Sequence, residues 1–242
     1  MMKKLLPFFT LLLMASAGSA QDAEAMKSHY LKVYNQAIKY NDVNAAINGL
    51  YGYLAVDNSL PYKDTLSMLY FSTKSYYSSL MLAEEVYKAD ANNMLAMARA
   101  AECYDELGDP KTATTLFEQV TPKTKNPYHI YKLATAQYQL KRTVESEMSA
   151  RAVLADTNSK KIGVNFTMVN GEQQAVPINA AAANLLGVLK MDAKNYAGAK
   201  VDFQQALTLF PNFGGAKQNL EVCEKNLKPA AKTGTKPATK PK

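Results

Sequence analysis

The sequence contains few of the residue types that build catalytic and metal sites. Its 242 residues include two histidines, two cysteines and no tryptophan. His29 and His129 lie far apart, and neither has a second ligand at helical or turn spacing, so we predict no metal site and no cofactor. The sequence also has no glycine-rich phosphate loop, nucleophile elbow or HExxH motif. These absences predict a protein that is not an enzyme.

Long hydrophobic runs are missing except at the N-terminus, where residues 1–20 read MMKKLLPFFTLLLMASAGSA. Two lysines, a short apolar stretch and a group of small residues are typical of a secretory signal peptide, here with cleavage after Ala20. The apolar stretch is short for a membrane helix, although an uncleaved anchor is the alternative. We therefore expect an exported chain that does not span a membrane.

The positive charge is concentrated at the two ends of the chain. The net charge is +7, but two lysines lie in the predicted signal peptide and five in residues 228–242, which read KPAAKTGTKPATKPK. The body between them is near neutral, so the sequence predicts no nucleic-acid groove. The composition of the tail predicts disorder. Its lysines would give weak contact with anionic envelope polymers, or would simply keep this terminus soluble.

A fixed set of small and large apolar residues recurs along the chain. Offsets of three, four and seven residues place such side chains on one face of a helix. One copy comprises Leu186, Gly187, Ala199, Phe203, Ala206, Leu207 and Pro211. A second copy comprises Ala100, Ala101, Tyr104, Gly108, Ala113, Phe117 and Val120. Recurrence at a fixed period indicates a repeat protein.

These copies resemble tetratricopeptide repeats (TPRs), which are 34-residue units of two antiparallel helices. Units centre on Tyr34, Ser67, Ala101, Ala134 and Gly187. The resemblance implies an all-α, right-handed TPR-like superhelix of antiparallel helix pairs over residues 21–227, with a C-terminal capping helix at about 213–227. The unit around Ala134 departs most from the pattern, because Gln137 replaces the expected tyrosine and Lys141 the expected glycine.

The repeat spacing is interrupted once, between Ala134 and Gly187, by an insertion at about residues 159–178. Apolar residues alternate with polar ones from Ile162 to Met168, and Asn170-Gly171 is a strong hairpin signal. Pro177 predicts that the second strand is an edge strand or a shorter element. The sequence therefore predicts a β-hairpin. It is either a structural clamp over the unit around Ala134 or a partner-binding edge.

The two cysteines, Cys103 and Cys223, fall at equivalent repeat positions. An even number in an exported chain suggests a disulfide, which requires Cα atoms within about 7 Å. Because distant repeats in an extended stack do not touch, we expect both cysteines to be buried small hydrophobic residues instead.

The TPR resemblance also implies a concave groove built from the first helix of each unit. The candidate partner-binding residues are Met68, Phe71, Glu102, Asp105, Glu106, Tyr128, Tyr131 and Tyr138. The groove would be acidic in the middle, with tyrosines beside it. The tyrosines would either contact a partner, since tyrosine combines apolar area with a hydroxyl, or pack within an imperfect unit.

Full coverage by repeats favours a non-enzymatic scaffold that holds a protein or an extended peptide in this groove. The alternative is a cell-wall or polysaccharide-binding module, suggested by the tyrosines and the lysine-rich tail. An enzyme that uses the hairpin as a lid has only the insertion in its favour. Resemblance to exported repeat proteins of Gram-negative bacteria implies a periplasmic location.

Overall fold

The computed structural model describes residues 7–168 and 171–227, with side chains described from residue 21 onward. Residues 1–6 of the predicted signal peptide and the whole of the tail, 228–242, lie outside the described residues. The backbone is helical across the predicted cleavage site, because the first helix runs from residue 7 to residue 39. In the described part of the chain, no helix is both long enough and apolar enough to cross a membrane.

The chain is a series of helices interrupted by one hairpin. The elements are α1 (Pro7–Lys39), α2 (Val43–Leu54), α3 (Leu60–Ser72), α4 (Tyr76–Ala89), α5 (Met94–Glu106), α6 (Pro110–Thr124), α7 (Pro127–Gln139), α8 (Thr143–Ala155), a 3-10 turn (Ser159–Lys161), β1 (Gly163–Thr167), β2 (Gln173–Pro177), α9 (Ile178–Asp192), α10 (Tyr196–Leu209) and α11 (Gly214–Leu227). Successive helices pack as five antiparallel pairs, and α11 follows the last pair. The predicted all-α repeat fold is confirmed.

Two compact units divide the helices between them. The first unit contains α1 to α6, and the second contains α7 to α11 with the hairpin. Each unit has its own buried apolar core. Leu50 and Leu66 lie in one core of the first unit, whereas Val153, Ile178 and Phe213 lie in the core of the second.

The helices of a pair approach closely because small residues lie where they cross. Ala101 and Ala113 are fully buried at this position of the α5/α6 pair. In the α3/α4 pair, the buried residues Ser67 and Ser79 take the same positions. Each hydroxyl donates a 2.8 Å hydrogen bond to the backbone carbonyl of the other serine. A buried hydroxyl costs little once it is paired in this way.

The unit around Ala134 keeps the repeat register despite its unusual sequence. Ser146 is buried opposite Ala134, and its hydroxyl donates to the Ala134 carbonyl at 2.8 Å. Gln137 is also buried, and its side-chain carbonyl accepts a 2.8 Å hydrogen bond from Ser149. The crossing in this pair is therefore built like the serine crossing of the α3/α4 pair, with the hydroxyl again satisfied by a backbone carbonyl.

The same turn joins the two helices in every pair. One residue adopts a left-handed conformation, with φ between 56° and 85°; these residues are Asn41, Lys74, Gly108, Lys141 and Lys194. The backbone N–H of the residue that follows it donates a hydrogen bond of 2.8–2.9 Å to the carbonyl five residues earlier. This bond pairs one of the free carbonyl groups at the C-terminus of the first helix. That next residue also caps the second helix through its side chain in three pairs, at Asp42, Asp109 and Asn195.

The predicted hairpin is present and packs on the second unit. Its strands are antiparallel, with Gly163 opposite Pro177, where the second strand ends. The ring of Phe166 packs edge-on against Phe213 with centroids 4.8 Å apart. The Gln174 side chain donates to the Asn212 carbonyl at 2.7 Å and accepts from the N–H of Gly214 at 3.0 Å.

These contacts favour the structural clamp over the partner-binding edge. Phe166 and Gln174 secure the turn before α11. The hairpin also packs on the core cluster that contains Ala134, because Val176 is fully buried in this cluster and Phe166 and Val164 lie against it. Binding of a partner by the hairpin edge stays a prediction.

Both cysteines are buried and free, as predicted. Cys103 lies on α5 in the first unit, and Cys223 lies on α11 in the second, where it packs with Ala199 and Phe203. They act as small apolar residues in two different cores.

Gly187 lies at a tight helix crossing in the second unit, and its replacement should be destabilising. A Cβ atom at this position would lie 2.5 Å from the ring of Phe203, which is fully buried. We expect Gly187→Leu to force α9 and α10 apart and to lower the melting temperature by many degrees, measured by circular dichroism. Gly163→Ala is the control, since its new Cβ meets no atom closer than 3.9 Å. An unchanged melting temperature in Gly187→Leu would contradict the packing described.

Lys141 carries a backbone strain that glycine would relieve. Its φ is +58°, a conformation that costs a non-glycine residue roughly 1 kcal/mol. Lys141→Gly should therefore raise the free energy of unfolding by up to about 1 kcal/mol. Lys217→Gly, in the helical interior of α11, should lower it by about the same amount. Denaturant unfolding of both variants checks the assignment, which fails if the two changes have the same sign.

Candidate functional site

Exposed apolar side chains and carboxylates occur together on α3 and α5 of the first unit. Met68 and Leu95 expose most of their side chains, and Phe71 is half-buried. The carboxylates follow on α5. We call this surface the first-unit face and define it by Met68, Phe71, Leu95, Glu102, Asp105 and Glu106. Of these, the sequence analysis missed only Leu95, although its seven-residue spacing from Glu102 places both on one side of α5.

An ion pair ties together the two helices that carry the first-unit face. Arg99 on α5 donates from Nη1 to Oδ1 of Asp64 on α3 at 2.5 Å. Arg99 thereby offsets the charge of Asp64, and three further carboxylates lie in the C-terminal half of α5. Glu102 and Asp105 are half-buried there, and Glu106 is exposed. The result is a surface that is apolar on α3 and acidic toward the end of α5.

Asp109 has a different role from the three carboxylates before it. Its side chain accepts from the backbone N–H of Thr112 at 3.0 Å and from the Thr112 hydroxyl at 2.7 Å. These hydrogen bonds hold the pKa of Asp109 below its usual value. Asp109 therefore caps α6 and does not add to this group of carboxylates.

The three predicted tyrosines of the second unit do not form an exposed platform. Tyr131 is 8% exposed and belongs to the core, where burial raises its pKa to about 12. Burial favours the packing alternative for Tyr131, and its contact with a partner stays a prediction. The pattern placed Tyr131 on the first helix of its unit, but its ring fills space between helices.

Tyr128 and Tyr138 are half-buried. The Tyr138 hydroxyl donates to Oδ2 of Asp192 at 2.8 Å, which links α7 to the end of α9. Burial, helped by this carboxylate, raises the pKa of Tyr138 to about 12. The ring of Tyr128 meets His129 edge-on, with centroids 5.9 Å apart. Among the predicted site residues, those of the first unit thus form the surface most open to a partner.

No group of three or more histidine, cysteine, aspartate or glutamate side chains that could hold a metal ion occurs within the described ranges. The first-unit face offers apolar surface and negatively charged side chains for non-covalent contact.

Comparison with solved structures supports the fold. No family model matches the sequence, and no curated protein matches it. Among solved structures, MamA is similar at 12% identity and a TM-score of 0.63, over 76% of this chain and 91% of that one. A tetratricopeptide repeat protein from Parabacteroides merdae has 12% identity and a TM-score of 0.65, over 84% and 73% of the two chains.

YrrB, described as a TPR protein with an unusual peptide-binding site, is similar at 14% identity and a TM-score of 0.65. The match covers 79% of this chain and 90% of YrrB. At these identities the likeness shows the fold alone. The chain has the fold of the tetratricopeptide repeat proteins, as its sequence pattern predicted.

The raised pKa values of Tyr131 and Tyr138 predict a loss of stability at alkaline pH. Both values are about 12, against 10.0 for the free side chain, so the fold favours the neutral phenols. Their contribution to stability is complete below about pH 10 and is lost as the pH rises toward 12. The free energy of unfolding, measured with denaturant between about pH 10 and pH 12, should fall less steeply in Tyr131→Phe and in Tyr138→Phe than in the wild type. Equal slopes in all three proteins would contradict the assignment.

Proposed function

We propose that this protein is a non-enzymatic scaffold that binds an extended segment of a partner protein along the first-unit face. The observation that carries the proposal is that α3 and α5, which contact each other, expose the apolar side chains of Met68 and Leu95 and carry the carboxylates of Glu102, Asp105 and Glu106. Monomeric proteins seldom expose grouped apolar side chains without a use for them.

The chemistry of the face specifies the segment that it fits. Apolar side chains of the partner would pack on Met68, Phe71 and Leu95, and methionine adapts well to varied ligands. Lysine or arginine residues farther along the segment would lie beside the α5 carboxylates. Such charges set orientation and association rate more than affinity. The partner segment therefore combines apolar and basic side chains.

The TPR fold supports this proposal, because the first helices of a repeat array present rigid side chains at regular intervals. YrrB, which shares the fold, is described as having a peptide-binding site. The absence of any motif for catalysis in the sequence points the same way. The fold thus supports partner binding in general, and the first-unit face is the surface that we propose for it.

The location is proposed from the sequence. Residues 1–20 have the features of a signal peptide, so we place the chain beginning at Gln21 in the periplasm. The lysines of residues 228–242 would add weak, salt-sensitive attraction to anionic envelope polymers there.

Charge reversal on the face tests the scaffold function. The double variant Glu102→Lys with Asp105→Lys should weaken capture of a partner from envelope extract by about tenfold, since basic residues of the partner then meet lysines. Partners are identified by mass spectrometry, and their affinities for both proteins are measured after purification.

The control for this experiment carries the same change of charge elsewhere. Glu118→Lys on α6 with Glu221→Lys on α11 should leave capture unchanged, because both residues are exposed and lie outside the first-unit face. Equal retention of the partner by wild type and both double variants would rule out this face as the binding surface.

A further inference from the structure

A cleft of about 590 Å³ lies in the first unit between α2, α3 and α4. Its walls carry Tyr51 from α2, Tyr70 from α3, and Tyr77 and Met81 from α4. On α3, the residues that line it are not those of the first-unit face. The volume is within the range of about 300–1,000 Å³ that is typical of sites for small ligands.

Helical periodicity brings these side chains to one place. On α4, Tyr77, Met81 and Glu85 follow one another at four-residue intervals, which aligns them on one side of the helix. On α3, Lys63, Leu66 and Tyr70 are spaced by three and four residues. Leu66 is buried and forms part of the floor.

Two of the tyrosines contribute little to the core of the first unit. The side chains of Tyr51 and Tyr77 are each 67% exposed, so their rings stand at the edge of the cleft in contact with solvent. Tyr70 lies deeper, where burial raises the pKa of its hydroxyl. The cleft therefore offers aromatic ring faces together with phenolic hydroxyl groups, which combine apolar area with hydrogen-bonding capacity.

The charged groups of the cleft neutralise each other. Lys63 and Glu85 are the two charged residues that line it, and Nζ of Lys63 lies 2.5 Å from Oε2 of Glu85. An anion would meet the carboxylate and a cation would meet the ammonium group. A ligand with either net charge would thus gain little, and a neutral ligand is favoured.

We infer that this cleft binds a neutral saccharide. A sugar ring has apolar C–H faces that stack on tyrosine rings, and hydroxyl groups at its edge that hydrogen-bond with the Lys63–Glu85 pair and with Ser78. A purely apolar ligand such as an acyl chain would cover the Ser78 hydroxyl and the donors and acceptors that the Lys63–Glu85 pair does not use, which costs free energy. The saccharide matches both the aromatic walls and the neutral polar groups.

This site is independent of the proposed peptide function, because it uses other residues. The sequence suggested saccharide binding by Tyr128, Tyr131 and Tyr138, but Tyr131 is buried and the Tyr138 hydroxyl is bound to Asp192. The structure assigns that role to a different set of tyrosines, which the repeat pattern did not single out.

Titration of the chain from Gln21 onward with chitotriose, cellotriose and maltotriose tests the inference. All three probes are uncharged, and binding is followed by calorimetry and by nuclear magnetic resonance. We expect at least one of them to bind, and Tyr51→Ala or Tyr77→Ala to weaken that binding by about tenfold or more. Tyr77→Phe, which keeps the ring, should retain most of the affinity.

Tyr40→Ala is the matched control, since Tyr40 is 69% exposed in the same unit but does not line the cleft. The inference is overturned if no probe binds at concentrations up to about 10 mM. It is also overturned if Tyr51→Ala and Tyr77→Ala bind as tightly as Tyr40→Ala, or if the cleft takes up only an apolar peptide. None of these results affects capture by the first-unit face, so the two proposals fail separately.

Discussion

The close approach of two helices within each pair is the contact on which the rest of the structure depends. Small residues at the crossing allow this approach, as at Ala101 and Ala113. Serine serves as well when its hydroxyl finds a backbone carbonyl, as in the α3/α4 and α7/α8 pairs. In the α9/α10 pair, the residue of α9 at the crossing is Gly187, and the Phe203 ring of α10 occupies the space that a side chain there would have filled. Packing at a crossing is thus a matter of total volume, which several residue combinations satisfy.

The turn between the paired helices fixes the length of each helix and so the direction of its exposed face. A left-handed residue ends the first helix, and its neighbour begins the second, with the same backbone hydrogen bond in all five pairs. Because helix ends and crossings are both fixed, Met68, Phe71 and Leu95 stay at the surface of the first unit, where core packing does not need them. Binding surfaces form at such positions because core packing does not restrict which side chains they carry.

Much of this arrangement could be predicted from the sequence because it repeats. The helix pairs, the hairpin and the buried state of Cys103 and Cys223 all follow from periodicity and turn chemistry. The repeat pattern left two alternatives open for Tyr131, since position on a helix does not reveal whether a large ring points between helices or into solvent. It also gave no signal for the Tyr51 and Tyr77 cleft, which depends on the spacing between neighbouring helices and not on the order of residues within one.

The central claim is that a partner segment lies along the first-unit face. Site-specific photocrosslinking in living cells tests it most directly, with a benzophenone amino acid at position 95 in one strain and at position 201 in another. Leu95 and Val201 are almost equally exposed, at 64% and 62%, but only Leu95 belongs to the face. The account predicts one dominant crosslinked protein from position 95 and none from position 201. The same crosslinked products from both positions, or none from position 95, would contradict it.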